Sequence, residues 1–315
     1  MKPIYKKLLS IAIFLALLAL ALNYLIKNID EFKEISLQNP WLLIPIAFLF
    51  ILNYFFIGFM LDVLMGSFKV KMSLKESFQL SIVTGFYNLI TPFRGGMAAR
   101  AVYLKKKYKF SYTNFLATLA ASYVLIFLVA SVIGMLSLWS IHETTGQFSI
   151  IIFLVFLAFI IPLLLTVIFS PKIPETKHNW INRFIRVING WHLIKNNKRV
   201  IFTTLLFSFL QLLSSALSLY LSFKVLGISI PYASILFISS LGTLGILISI
   251  TPAGLGISEA ITVFSALTIG INPTQSLSVA ILGRIVQIAV MFILGPIFSY
   301  KLLKKIPKNE KNTRK

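Results

Sequence analysis

The 315-residue chain contains no cysteine. That removes disulfides, thiolate metal ligands and thiol chemistry together. Its three histidines, His142, His178 and His192, fall in expected loops away from any carboxylate cluster. No ligand set for a metal is visible, and no cofactor is expected. Acid is scarce: nine Asp and Glu stand against 30 Lys and Arg. No long polar stretch offers a water-soluble domain, and no Gly-x-x-x-x-Gly-Lys phosphate loop occurs, so the chain brings no ATPase site of that kind.

Apolar residues dominate instead. They make up 57% of the chain, and the mean hydropathy is +0.88. That composition belongs to membrane proteins. Apolar runs of about 20 residues cross a bilayer as helices. Full spans are expected at 7–26, 41–61, 113–139, 148–170, 200–226 and 276–300. The first is read as an uncleaved span rather than a signal peptide, despite Lys6-Lys7 before it and Ala19-Leu20-Ala21 within it.

The net charge of +21 would suit a nucleic-acid partner if it lay on one domain. It does not. Short segments at 1–7, 62–75, 105–112, 171–199 and 301–315 hold three, three, four, seven and seven of the 30 basic residues. Basic loops of membrane proteins face the cytoplasm. Both termini are therefore expected in the cytoplasm of a multi-pass cell-membrane protein, and no nucleic acid is expected as partner. Loop 27–40, with Asp30, Glu31 and Glu34, goes outside.

Two apolar segments are interrupted. Segment 76–104 carries Thr91, Pro92, Phe93, Arg94, Gly95 and Gly96; segment 233–270 carries Thr251, Pro252, Ala253, Gly254, Leu255 and Gly256. Proline removes a backbone donor and glycine admits conformations a helix forbids. Basic residues flank both sides of the first segment, and uncharged linkers flank the second. Each then enters and leaves by one face, the two from opposite faces, as re-entrant hairpins. Span starts 41 and 200, breaks 92 and 252, and span onsets Thr113 and Thr274 pair at nearly constant separation. The expected fold is an all-α polytopic membrane protein: six full spans plus two re-entrant broken-helix hairpins in an inverted-topology repeat. The repeats cover 1–140 and 148–303, with a basic cytoplasmic amphipathic loop at 171–199 and a basic tail at 304–315. Broken segments matched between inverted halves point to a transport site.

Few ionisable residues lie inside apolar segments. Arg94, Arg100, Glu259 and Arg284 are the ones placed away from loop ends, with Gln287 and Met291 on the helix face of Arg284. Such charges face a cavity or a partner. Read functionally, they form an anion pocket, because guanidinium forks match phosphate. Read structurally, Glu259 and Arg284 hold each other, and Arg94 and Arg100 reach for cytoplasmic phosphates. Gln211, Ser214, Ser215, Ser218 and Ser222 form one polar stripe, read here as close packing in preference to a pathway lining. Residues 178–195 place Trp180, Ile181, Phe184, Ile188 and Trp191 on one face, which suits a helix lying on the anionic leaflet.

These motifs resemble a known family. The segment from Thr91 to Arg100, and Thr251 to Ala260 with Arg284 downstream, look like the two signatures of the lysylphosphatidylglycerol synthase transmembrane region, or flippase-like domain, over nearly the whole chain. The resemblance implies kinship with the lipid-flipping half of multiple peptide resistance factors. The synthase activity of the longer members is not expected here, because no aminoacyl-transfer domain follows. Two departures stand out. Met97 occupies a position where the family usually has Glu, and Ser122-Tyr123 replaces Glu-Arg. Tyr123 is the symmetry counterpart of Arg284, so a symmetric charge pair is lost in the first half.

The leading expectation is a lipid transporter, not an enzyme, that moves an anionic phospholipid or lipid-linked precursor between leaflets. Its head group would contact Arg94, Arg100 and Arg284 between the hairpin tips, with Tyr123 and Gln287 nearby and Glu259 as a candidate proton carrier. Alternatives are a small-anion or solute carrier, an intramembrane lipid-modifying enzyme, and a non-transporting assembly partner.

Overall fold

The structure, a computed structural model, describes residues 36–170, 172–249 and 251–305. The expected span at 7–26, the acidic residues at 30–34, Ile250 and the tail beyond 305 lie outside the described residues. Within them the chain is helical, with no strand.

Ten α-helices follow in order: α1 (Leu43–Gly66), α2 (Leu74–Ile90), α3 (Gly95–Tyr108), α4 (Tyr112–Thr145), α5 (Ile150–Phe169), α6 (Asn179–Lys195), α7 (Lys198–Val225), α8 (Tyr232–Leu244), α9 (Ile257–Leu267) and α10 (Pro273–Leu303). A 3-10 turn, Pro40–Leu42, leads into α1. Five helices are long and apolar enough to cross a membrane, namely α1 with its leading turn, α4, α5, α7 and α10. They coincide with the five expected spans inside the described residues. Polar caps set several starts: Ser73 accepts from the backbone of Glu76, Ser111 from that of Asn114, Asn197 from that of Val200 and Asn272 from that of Thr274.

The four remaining bundle helices are short. With 14 residues in α3 and 11 in α9, they reach about 21 and 17 Å, against about 30 Å of hydrocarbon. The α2–α3 break is a 3-10 turn at Pro92–Arg94, in which Phe93 and Arg94 both take left-handed conformations, φ 53° and 55°. The expectation that glycine supplies this freedom fails here, since Gly95 has an ordinary helical φ of −57°. Gly96 matters for closeness instead. A β-carbon there would collide with the Thr84 carbonyl oxygen and lie 2.9 Å from the Asn88 nitrogen, so glycine lets α3 press on α2. The second break behaves as expected: Gly254 and Gly256 carry φ of 70° and 79° around the turn Pro252–Gly254.

Loops sort to two ends of the bundle. At one end Phe68 meets Phe110 edge-on, and Gly190 of α6 lies near Phe68. There Glu76, buried, accepts from Lys107 Nζ at 2.6 Å, Tyr103 at 2.7 Å and Tyr108 at 2.8 Å, with Lys305 at 3.6 Å. The basic segments within the described residues thus gather on one side. At the other end Gln38 and Asn39 bond the carbonyls of Val225 and Lys224, and Gly270 approaches Gln147.

Packing is cross-matched. α1 lies along α7; α2 packs on α10, and α8 packs on α4. The break turns Pro92–Arg94 and Pro252–Gly254 touch each other. α5 stands at the periphery against α4, burying only Ile152 and Phe156. Phe153, Phe159, Leu163 and Val167 pack partly against the core, whereas Ile151, Leu154, Ile161, Leu165 and Ile168 face outward, as a lipid-facing helix requires.

α6 has two apolar faces rather than one. Trp180 is 64% exposed and Phe184 equally so, but Trp191 is only 5% exposed and donates to Ser170 Oγ at 2.8 Å. Trp191 and Ile194 pack in one cluster with Leu64, Ala121 and Leu125. The reading of Trp191 as part of a lipid-facing stripe is therefore corrected. The preceding loop is tied along α6 by Asn182 to Thr176 and by Asn189 to Ile173.

Candidate functional site

The four intramembrane charges do not converge on one point. Arg284, on α10, donates from Nε to Glu259 Oε1 at 2.8 Å and from Nη1 to Gln287 Oε1 at 3.1 Å. Glu259 Oε2 accepts from the backbone N–H of Gly256 at 2.8 Å. Glu259 thus caps its own helix α9 while tying it to α10, and both its oxygens are engaged. The spacing Gly256 to Glu259, three residues, was the available signal for this cap.

Glu259, Arg284 and Gln287 line a cavity of about 400 Å³ among α1, α7, α8, α9 and α10. The whole α7 stripe, from Gln211 to Ser222, lines it too. The stripe also packs on α1, as expected: Asn53 Nδ2 donates to Ser215 Oγ at 2.7 Å, and Ser214 Oγ donates to the Leu49 carbonyl at 3.1 Å. The buried side-chain oxygen of Gln211 accepts no hydrogen bond among the described residues. The cavity holds one acid and one base, paired, so it is polar but close to neutral.

Arg94 lies in a second cavity of about 580 Å³, formed by the first break, α3, α4 and residues 246–249. Its walls are mostly apolar, including Phe93, Met97, Leu116, Leu119 and Leu247. Arg94 donates from Nη1 to Tyr123 Oη at 2.6 Å and from Nη2 to the Ile246 carbonyl at 3.0 Å. No carboxylate pairs with it among the described residues. Tyr123 stacks on Phe127 at 5.4 Å between ring centroids, which holds its hydroxyl toward the break. In each half, then, the last span reaches back to its own broken segment: α10 through Arg284 to Glu259, and α4 through Tyr123 to Arg94.

Arg100 lines neither cavity. It is buried between α2 and α3 and donates from Nε to Thr84 Oγ1 at 2.9 Å. Thr91, Thr251 and both prolines shape the turns; Thr251 Oγ1 donates to the Leu255 carbonyl at 2.8 Å. Among the described residues no group of three metal-ligating side chains occurs. Ile246 is the residue sequence reading missed. It lines both cavities, and its carbonyl holds Arg94. Nothing in a run of apolar side chains marks one whose backbone matters.

The family model for the lysylphosphatidylglycerol synthase TM region matches residues 7–295. The chain belongs to this family. It is also similar to a UPF0104 membrane protein of Pyrococcus horikoshii, 25% identical, with 69% of this chain and 73% of the relative covered. Family membership agrees with the helical, multi-pass architecture. The family's broken-segment signatures fall on the two turns that touch, and its two departures here, Met97 and Tyr123, both fall in the wall of the Arg94 cavity.

Proposed function

We propose that this protein is a lipid transporter of the cell membrane, moving an anionic phospholipid or lipid-linked precursor between leaflets. One observation carries the reading: Arg94, a cation with no acidic partner among the described residues, lies in an apolar-walled cavity beside the meeting point of two broken helices. A half-buried guanidinium without a counter-anion attracts one, and an apolar wall suits the chains attached to a lipid phosphate. The polar cavity beside it, with its paired Glu259 and Arg284, is less suited to hold a second net charge.

In this reading α2–α3 and α8–α9 are re-entrant hairpins from opposite faces, and the halves form an inverted repeat. The flanks of each pair lie at one end of the bundle, and α2 on α10 mirrors α8 on α4. Placing the basic end in the cytoplasm puts the C-terminus there. The rival reading is a carrier of small anions.

The test is exchange of tail-labelled lipids in liposomes holding the purified full chain. Anionic lipid should cross several-fold faster than in protein-free liposomes and faster than phosphatidylcholine. Arg94→Gln should abolish the difference. Folded protein that accelerates no lipid refutes the reading.

A further inference from the structure

The two cavities differ in chemistry and share a wall. One offers an uncompensated guanidinium among apolar side chains; the other offers hydroxyls and amides around a neutral ion pair. Ile246 faces both, on the 3-10 turn Gly245–Ile248. Arg94 grips that turn through the Ile246 carbonyl.

We propose that the two cavities are one divided binding site, and that its ligand is a phospholipid whose phosphate carries an uncharged, hydroxyl-bearing head group such as glycerol, inositol or a sugar. The inference rests on the lipid reading above and narrows it. The phosphate sits at Arg94, with acyl chains along Leu116 and Leu119 toward the bilayer. The head group reaches past Ile246 into the polar cavity.

Three observations select this head group. Both oxygens of Glu259 are engaged, by Arg284 and by Gly256 N–H, so an ammonium group would find no spare carboxylate. Arg284 is held by that same carboxylate and by Gln287, so a second anionic group would have to displace it. Gln211 lines this cavity, and its Oε1, almost without accessible surface, has no donor in the described protein, so a hydroxyl meets it once the side-chain amide turns to the cavity. A buried acceptor of that kind gains a full hydrogen bond from an incoming hydroxyl. Ser218 and Ser222, one helical turn apart on the same wall, extend the polar surface.

The test compares tail-labelled phosphatidylglycerol with phosphatidic acid, which has the phosphate and no head group, in liposomes containing the full chain. Phosphatidylglycerol should cross about five-fold faster or more, the effect of one hydrogen bond. Gln211→Leu should bring phosphatidylglycerol down to the rate of phosphatidic acid and leave phosphatidic acid unchanged. Ser218→Ala, a smaller change, should give part of the same effect if Gln211→Leu does not fold. Arg94→Gln should slow both lipids.

Equal rates for the two lipids in the unmodified protein overturn the divided site, as do Gln211→Leu and Ser218→Ala variants that slow both lipids alike. Either result leaves the lipid reading standing. If neither anionic lipid moves, the lipid reading falls and the divided lipid site with it. Free glycerol phosphate, added in large excess, separates a lipid from a soluble ligand. No inhibition supports the lipid; complete inhibition overturns it in favour of a small organic phosphate.

Discussion

Consider removing Arg284 alone, as Arg284→Met. The side chains of Arg284 and Glu259 are 11% and 14% exposed, so the pair is largely out of solvent. The substitution deletes the 2.8 Å bond to Glu259 and the 3.1 Å bond to Gln287. It leaves a carboxylate held by the Gly256 N–H but without its cation. Breaking a buried pair from one side costs about 3–5 kcal/mol, most of it from the charge left behind. Glu259→Gln keeps a single acceptor oxygen, so it can serve the Gly256 N–H or Arg284 but not both, and it too leaves a charge, that of Arg284, without its partner. The double variant should then sit well above the sum of the singles, with a coupling of about 1–3 kcal/mol. Equilibrium unfolding of the purified protein in mixed micelles measures all three. Additive losses would refute the claim that these groups act as a unit, and with it the assignment of Glu259 as a doubly held cap.

Four further outcomes are expected. Gly96→Ala should destabilise by about 1–3 kcal/mol through the collision with Thr84 and Asn88, whereas Gly66→Ala, with nothing near its added methyl, should be neutral or mildly stabilising in the same assay. Because the chain has no cysteine, single cysteines can report sidedness: Lys69→Cys and Lys109→Cys should label from one face of intact vesicles and Ser229→Cys from the other. Labelling of 69 and 109 from different faces would break the hairpin assignment. In single-tryptophan variants, brominated lipids should quench Trp180 strongly and Trp191 weakly, in line with 64% and 5% exposure. Thr84→Val should destabilise by about 1–3 kcal/mol, since it strands the buried Arg100 Nε at the α2–α3 contact.

The five spans within the described residues were readable in advance, because long apolar runs report directly on spans. Both breaks and the α7 stripe came from local pattern alone. What escaped was the choice of neighbour. Helical period sets Arg94 and Arg100 about 120° apart around one segment, but only packing sends one to Tyr123 and a cavity and the other to Thr84 and the interior. Likewise Trp180 and Trp191 share a helix face by angle. Their fates part because the later turns of α6 meet α4 and the end of α5, where Trp191 finds Ser170, while Trp180 has no such neighbour among the described residues. The partition into two cavities depends on the Ile246 backbone, which carries no sequence mark.

The left-handed pair Phe93 and Arg94 has one more consequence. Wound against the natural hand of an L-amino-acid chain, each of the two residues carries about 1–2 kcal/mol of local strain. The tip is therefore cocked like a spring, and the bonds from Arg94 to Tyr123 and Ile246 are its catch. Were the anion of the proposed function to draw the guanidinium away, relaxation of the backbone at these two residues would offset part of the energy of the two bonds given up.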